Sequence, residues 1–177
     1  ERRILFDGID TPDIDRWPVY LERGGGEGLR RALSLSPDEI ITEIQSASLR
    51  GRGGAWRSVG ERWQQARAAG GAGSIIVDLL EPDPGRFRDR KLAQRHPHRL
   101  LEGARIAAHA VGASTIYLCI AADSLRARQV LEQAIDETRG QAVAIQLHPV
   151  CGPFPFAAGE SLVVELIQGG RAEPQAD

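Results

Sequence analysis

Residues 74–91, SIIVDLLEPDPGRFRDRK, decide the fold. The stretch opens with residues 74–77, which are rich in β-branched side chains and lie between a glycine and a charge, and this predicts a short buried strand. Residues 81–85 must form a loop, because Pro82 and Pro84 are incompatible with a helix or a central strand. Ligands of open parallel sheets bind at the carboxyl ends of strands. The acidic loop is therefore a candidate binding site, although its acids could simply pair with the basic residues that follow.

Helices and strands alternate on both sides of this stretch. Before it, a capping box at Ser36, Pro37 and Glu39 begins a helix that runs to about residue 46. The other predicted elements are helices over 59–69, 98–111, 123–139 and 160–167, and strands over 115–120 and 142–147. Such alternation predicts an α/β fold, a Rossmann-like parallel sheet flanked by helices on both faces.

The first 35 residues differ from the rest of the chain. They are polar and contain Pro12, Pro18 and the run Gly24-Gly25-Gly26, which predicts an extended arm followed by a short helix around 27–33. We expect three parts: this arm and short helix over 1–35, an α/β domain over 36–170 and a loose tail over 171–177. The chain contains no methionine and begins at Glu1, so we expect a fragment or a processed product.

Composition excludes several classes of protein. The 177 residues carry 22 Lys and Arg against 24 Asp and Glu, a net charge of −2, so a globally basic nucleic-acid binder is excluded. No apolar run approaches the roughly 20 residues that a membrane helix needs, and we expect no signal segment at the start of the chain. We expect a cytoplasmic protein with no nucleic-acid partner and no direct membrane insertion, associated with a membrane only through a complex.

Cysteine and histidine are too sparse for several kinds of site. Cys119 and Cys151 have no metal-ligand spacing with any histidine, so no metal site is predicted. Two cysteines cannot hold a four-cysteine iron–sulfur cluster, and we expect none in this chain. Ser161 lacks the glycine that a nucleophile elbow requires at the position of Val163. The sequence assigns no catalytic residue.

The run LRGRGGA at residues 49–55 is the strongest candidate for ligand binding. Gly51, Gly53 and Gly54 expose backbone N–H groups, Arg52 adds positive charge, and a predicted helix follows. Phosphate binding requires this combination. Two alternatives remain open at this point. The run could be a flexible, solvated loop, or it could contact RNA, although a single RGG-type run in an acidic domain is weak evidence for RNA binding.

Four runs of the chain resemble, in order, the FMN-binding, NADH-oxidising subunit of respiratory complex I and its relatives in NAD-linked hydrogenases and formate dehydrogenases. The family run R-G-R-G-G-A-G-F-P-T-G-L-K-W is similar to RGRGGAWRSVGERW at 50–63, and N-A-D-E-G-E-P-G-T-F-K-D-R to DLLEPDPGRFRDR at 78–90. PHRLLEG at 97–103 matches P-H-x-L-[IL]-E-G. Residues 159–174 resemble G-E-E-T-A-L-L-E-S-L-E-G-K-R-G-E-P.

The resemblance makes 36–170 an FMN-binding-type domain whose glycine loop cradles FMN while NADH delivers a hydride to the flavin. It implies cofactor-binding roles for two groups of residues. Those near the FMN phosphate are Gly51, Arg52, Gly53, Gly54 and Arg62, and those near the flavin ring are Asp78, Glu81 and Glu160. It also implies partners, namely other subunits of an oxidoreductase complex, iron–sulfur proteins among them.

Departures from the family pattern cluster at the implied cofactor contacts. Trp56 stands where the family has a glycine, Arg57 where it has an aromatic residue, and Leu80 where it has an aspartate. We interpret the chain as a degenerate FMN-binding-type domain, a pseudoenzyme with a structural or regulatory role in a larger assembly. One alternative is a working FMN-dependent NAD(P)H-oxidising domain that needs an iron–sulfur partner. A third is a domain that binds another anionic ligand.

Overall fold

The computed structural model describes residues 4–51, 56–71, 73–81, 85–140, 143–152, 163–164 and 167–168. The helices and strands, in chain order, are α1 (Trp17–Glu22), α2 (Glu27–Leu33), α3 (Pro37–Ser46), α4 (Val59–Ala68), β1 (Ser74–Leu79), α5 (Arg88–Arg95), α6 (Pro97–Val111), β2 (Thr115–Ala121), α7 (Leu125–Glu137) and β3 (Ala144–Val150). None of the helices in the described part of the chain is long and apolar enough to cross a membrane.

The three strands form one parallel sheet in the order β1-β2-β3. Ser74 pairs with Thr115, which in turn pairs with Ala144, and the register continues without a shift to the carboxyl ends of the strands. Each connection between neighbouring strands contains a helix, as parallel pairing requires. The predicted α/β fold with a parallel sheet is therefore confirmed.

The two faces of the sheet have different neighbours. Ile116, Leu118 and Ile120 of β2 are buried against α6 and α7, which lie on the same face because both crossovers run in the same direction along the sheet. Burial of each such side chain contributes about 2 kcal/mol. On the opposite face Cys119 packs with Val163, from the predicted last helix. Both faces thus carry apolar contacts from helical segments.

The N-terminal segment is folded onto the helices. Trp17–Glu22 form α1 with Pro18 in its first turn, where the missing proline N–H leaves no helical hydrogen bond unmade. Ile9, Ile14 and Tyr20 are buried. The prediction of an extended arm is therefore wrong for α1, because Pro18 can begin a helix as readily as it ends one. The division at residue 35 stays a prediction.

Side-chain caps begin two of the helices, α3 and α4. The capping box of α3 forms as predicted: Ser36 Oγ accepts from the Glu39 N–H at 3.3 Å, and the Glu39 carboxylate accepts from the Ser36 N–H at 2.7 Å. Helix α5 was not predicted, since its sequence RDRKLAQR is short and largely charged. Tertiary burial of Ala93 stabilises it instead.

Candidate functional site

The chain turns directly after β1. The Asp78 carboxylate accepts a hydrogen bond from the Leu80 N–H at 3.0 Å, a local bond typical of aspartate in turns. Glu81 then adopts a left-handed backbone conformation with φ of +47°, which costs a non-glycine residue about 1–2 kcal/mol. Desolvation raises the pKa of the Asp78 carboxyl, although the bond from Leu80 opposes this shift and nearby Asp89 adds to it.

Glu81 holds the first turn of α5. Its Oε1 accepts from the Asp89 N–H at 2.7 Å and its Oε2 from the Arg90 N–H at 3.2 Å. The residue at the N-cap position, Phe87, provides no side-chain hydrogen bond. The first N–H groups of a helix have no partners within it and favour negative charge. The Glu81 carboxylate therefore acts as the cap of α5, with both oxygens engaged.

Leu80 lies in the core beneath this turn. It is 5% exposed and packs in an apolar cluster with Cys119, Val150 and Val163. Burial, followed by the charge of Asp78, raises the pKa of the Cys119 thiol to about 11. The thiol thus stays protonated at neutral pH and has little nucleophilic character.

The glycine-rich loop has its two ends tied together. The Gly51 N–H donates to the Arg57 carbonyl oxygen at 2.8 Å, and the Val59 N–H donates to that of Leu49 at 2.9 Å. Arg50 forms an antiparallel bridge with Ser58, which caps α4. Arg52, Gly53 and Gly54, predicted to bind phosphate, lie outside the described residues.

Trp56 is the first described residue after the glycine run. Its φ is +51°, in the left-handed region that favours glycine, and the resemblance puts a glycine at this position. The side chain is 55% exposed, while the carbonyl oxygen accepts from Arg50 Nη1 at 3.1 Å. The backbone of Trp56 therefore has a conformation that favours glycine, although the residue carries an indole side chain.

Four of the predicted site residues lie in the described part of the chain, at two places. Gly51 and exposed Arg62 lie around the start of α4, and Asp78 and Glu81 lie at the end of β1. The hydrogen bond of 3.2 Å from the Ser114 N–H to the Gly73 carbonyl oxygen marks the opposite, amino edge of the sheet. Glu160 lies outside the described residues.

The motif PHRLLEG forms a second cluster of polar contacts, in the first turns of α6. The Glu102 carboxylate accepts from the Tyr20 hydroxyl and from the N–H groups of Gly26 at 2.8 Å and Leu29 at 2.9 Å. The His98 ring lies 5.1 Å from that of Trp17. Burial lowers the pKa of His98, although Glu137, 3.0 Å from its Nε2, opposes this shift.

This cluster is not predicted from the sequence. His98, Glu102 and Arg105 follow one another at i, i+4 and i+7 on α6, so they share one side of the helix. That spacing was the available signal, but the residues that face it come from α1, the α1–α2 link, α2 and the end of α7. Among the described residues, no group of three or more His, Cys, Asp or Glu side chains is arranged to hold a metal ion.

Comparison with known proteins identifies the relatives of this chain. It is 34% identical to the second F-type subunit of the NADH-quinone oxidoreductase of Rhizobium meliloti (strain 1021), over 97% of this chain and 44% of the relative. It is 32% identical to the F-type subunit of the NADH-quinone oxidoreductase of Aquifex aeolicus (strain VF5), over 97% of this chain and 43% of that relative. The chain spans about two fifths of the length of these curated relatives.

A solved structure and a family model identify the same group of relatives. An NAD⁺-reducing [NiFe]-hydrogenase in the H₂-reduced state has a TM-score of 0.65 and 26% identity, over 99% of this chain and 30% of the hydrogenase chain. The family model described as the Nuo51 FMN-binding domain matches residues 44–177, most of the chain. The chain therefore belongs to the Nuo51 FMN-binding domain family, together with the F-type subunits of NADH-quinone oxidoreductases.

Proposed function

We propose that this chain is a degenerate FMN-binding domain that keeps the fold, has lost the flavin and serves as a structural or regulatory subunit of a complex I-like oxidoreductase assembly. The observation that carries this proposal is the burial of Leu80 in an apolar cluster, where the resemblance implies an aspartate at the polar edge of the flavin. A polar flavin group left without a partner costs about 1–3 kcal/mol.

The neighbouring acids support the same proposal. Glu81 uses both carboxylate oxygens to cap α5, and Asp78 accepts from the Leu80 N–H. Turning Glu81 towards a ligand would uncap α5, at a cost of about 1 kcal/mol. The residues described at the end of β1 therefore do not fit the polar edge of an isoalloxazine ring.

Its role would then be to bind other proteins. The relatives are named as subunits of NADH-quinone oxidoreductase, and we infer that this chain assembles with other subunits of such a complex, iron–sulfur proteins among them, on the cytoplasmic side. The α/β core would provide the rigid body for that assembly, with no hydride transfer in this chain.

A flavin titration tests the proposal. The folded chain is mixed with FMN up to high micromolar concentration, followed by absorbance and by quenching of flavin fluorescence, and NADH is then added. We expect no bound flavin and no bleaching. Tight binding with bleaching by NADH would overturn the proposal and establish the alternative, a working NAD(P)H-oxidising domain.

One observation favours that alternative: the Trp56 side chain is exposed, so the indole does not fill the core of the loop. The variant Trp56→Gly separates the two functions, and Ser48→Gly is its matched control, because Ser48 is also exposed and has a φ of +51°. Flavin binding by Trp56→Gly alone would identify the indole as the group that excludes FMN. If neither variant binds, the changes around Leu80 and Glu81 are sufficient to exclude the flavin.

A further inference from the structure

A groove of about 410 Å³ opens between α1, α2 and α6. Its walls are apolar and are formed by Trp17, Leu21, Leu29 and Leu33. Leu21 and Leu33 are nearly half exposed, so apolar surface faces water along the rim. Sites for small molecules are concave, with volumes of about 300–1,000 Å³ and mostly apolar walls. The groove therefore has the size and the lining of a site for a small ligand.

One wall of the groove belongs to a stack of aromatic rings. The Trp17 ring lies 5.9 Å from that of Tyr20, in a stacked arrangement, and 5.1 Å from that of His98. Tyr20 and His98 are buried, whereas Trp17 is only partly buried and lines the groove. The indole is thus fixed by two buried rings, and it offers the kind of flat apolar surface on which another aromatic ring packs.

Gly26 leaves a gap beside this wall. A Cβ atom on Gly26 would lie 3.5 Å from Leu21 and 3.9 Å from Trp17, so it would begin to fill the space between them. The φ of Gly26 is +82°, which favours glycine. Its N–H already donates to Glu102 at 2.8 Å. The backbone at this point therefore borders the gap without projecting a side chain into it.

The charged groups that line the groove balance one another. They are two acids and two bases, namely Glu27, Glu102, Arg30 and Arg105. Glu27 forms an ion pair with Arg30, and Glu102 accepts three hydrogen bonds. Arg105 is 4% exposed and donates to the carbonyl oxygen and the Oγ1 of Thr138. Since these charges already have partners, a charged ligand would lose hydration here without gaining a new ion pair.

We propose that this groove binds a small neutral molecule that carries an aromatic ring. The ring packs on the Trp17 indole, in the gap beside Gly26, and the rest of the molecule covers Leu29 and Leu33. The lining includes no residue from the end of β1 or from the glycine-rich loop. The proposed loss of flavin binding is therefore unaffected by the success or failure of this proposal.

Three probes of matched shape test the preference for a neutral ligand: 3-phenylpropan-1-ol, 3-phenylpropionate and 3-phenylpropylamine. Each is titrated into the 177-residue chain at neutral pH, and the amide shifts of Gly26 and Leu29 are followed by NMR. We expect the alcohol to bind at least about tenfold more tightly than either ion. Equal binding of all three, tightest binding of an ion, or no binding of the alcohol would overturn the proposal.

A saturated analogue, 3-cyclohexylpropan-1-ol, tests the preference for an aromatic ring. We expect it to bind about threefold more weakly than 3-phenylpropan-1-ol, because it lacks the ring contact with the Trp17 indole. The variant Trp17→Leu should remove this difference between the two alcohols. If the saturated alcohol binds the parent chain as tightly as the aromatic one, the assignment of an aromatic ligand is wrong.

Variants at the surface test the location. Leu33→Asp removes an apolar contact at the rim of the groove and is expected to weaken binding of 3-phenylpropan-1-ol at least about fivefold. Leu125→Asp, at an exposed position on α7, is the matched control and should leave binding unchanged. If the two variants bind the alcohol alike, the groove is not the site. Since Leu33 lies at the surface, this comparison holds even if Trp17→Leu does not fold.

Discussion

Family motifs lie both at the carboxyl end of β1 and on α6, but the residues of the two motifs make different kinds of contact. On α6, Pro97 begins the helix, His98 packs against the aromatic rings of α1, and Glu102 collects three donors from the N-terminal segment. At the end of β1, Leu80 has entered the core and Glu81 caps a helix. The α6 motif thus joins the N-terminal segment to the helices, whereas at the end of β1 one residue lies in the core and its neighbour caps a helix.

The largest effect is expected from Leu80→Asp, which reintroduces the family residue. A carboxylate among Cys119, Val150 and Val163 is buried without a charged partner, so we expect a loss of about 3–5 kcal/mol in the free energy of unfolding. Urea denaturation measures it. Leu125→Asp, at an exposed position, should stay within about 0.5 kcal/mol. A Leu80→Asp protein as stable as the parent would mean that this edge is open to solvent and still suits a ligand.

Glu102→Ala is expected to have the next largest effect. It leaves the Tyr20 hydroxyl and the N–H groups of Gly26 and Leu29 without their acceptor, at a cost of about 3 kcal/mol. Glu132→Ala is the control, because Glu132 is largely exposed and lies 4.0 Å from Arg128. If the two variants lose equal stability, the α6 motif does not hold the N-terminal segment, and the contrast between the two regions disappears.

The folded chain is expected to become less stable as the pH is lowered, because of two histidines at the start of α6. Burial lowers the pKa of both His96 and His98 in the folded chain, so the unfolded chain takes up protons first, near pH 6.5. The contribution is complete above that pH and is lost below it, by at most about 1.4 kcal/mol per pH unit for each histidine until the folded pKa is reached. Urea denaturation between about pH 7.5 and 5.5, on either side of the unfolded pKa, measures the slope. His98→Gln should reduce it, and His148→Gln should preserve it.

The smallest effect is expected from Glu81→Ala, which removes the cap of α5. We expect a loss of about 1 kcal/mol and faster hydrogen exchange at the amides of Asp89 and Arg90, which donate to this carboxylate. Exchange at the first turn of α3, capped by Ser36, serves as the internal reference. Unchanged exchange at both amides would show that the Glu81 carboxylate is available to a ligand.

The sequence predicted what local patterns determine. The capping box at Ser36, the strands and the helix over 98–111 follow from side-chain types within a few positions of one another. Helices α1 and α5 are not predicted. The proline in α1 and the charged residues of α5 give no helical pattern, and both helices are stabilised by packing against other parts of the chain. The partners of Glu102 lie 73 to 82 positions away along the chain, and no periodicity reports such contacts.

The anchor of α1 has a consequence for the order in which the chain folds. The Trp17 N–H donates to the Glu137 carboxylate at 3.1 Å, across 120 positions of sequence. During synthesis, α1 therefore waits until α7 has left the ribosome before its final contacts can form, and contacts of such long range slow folding. The contact of Tyr20 with Glu102 on α6 can form earlier. The set of contacts that holds α1 is thus complete only after α7 has been made.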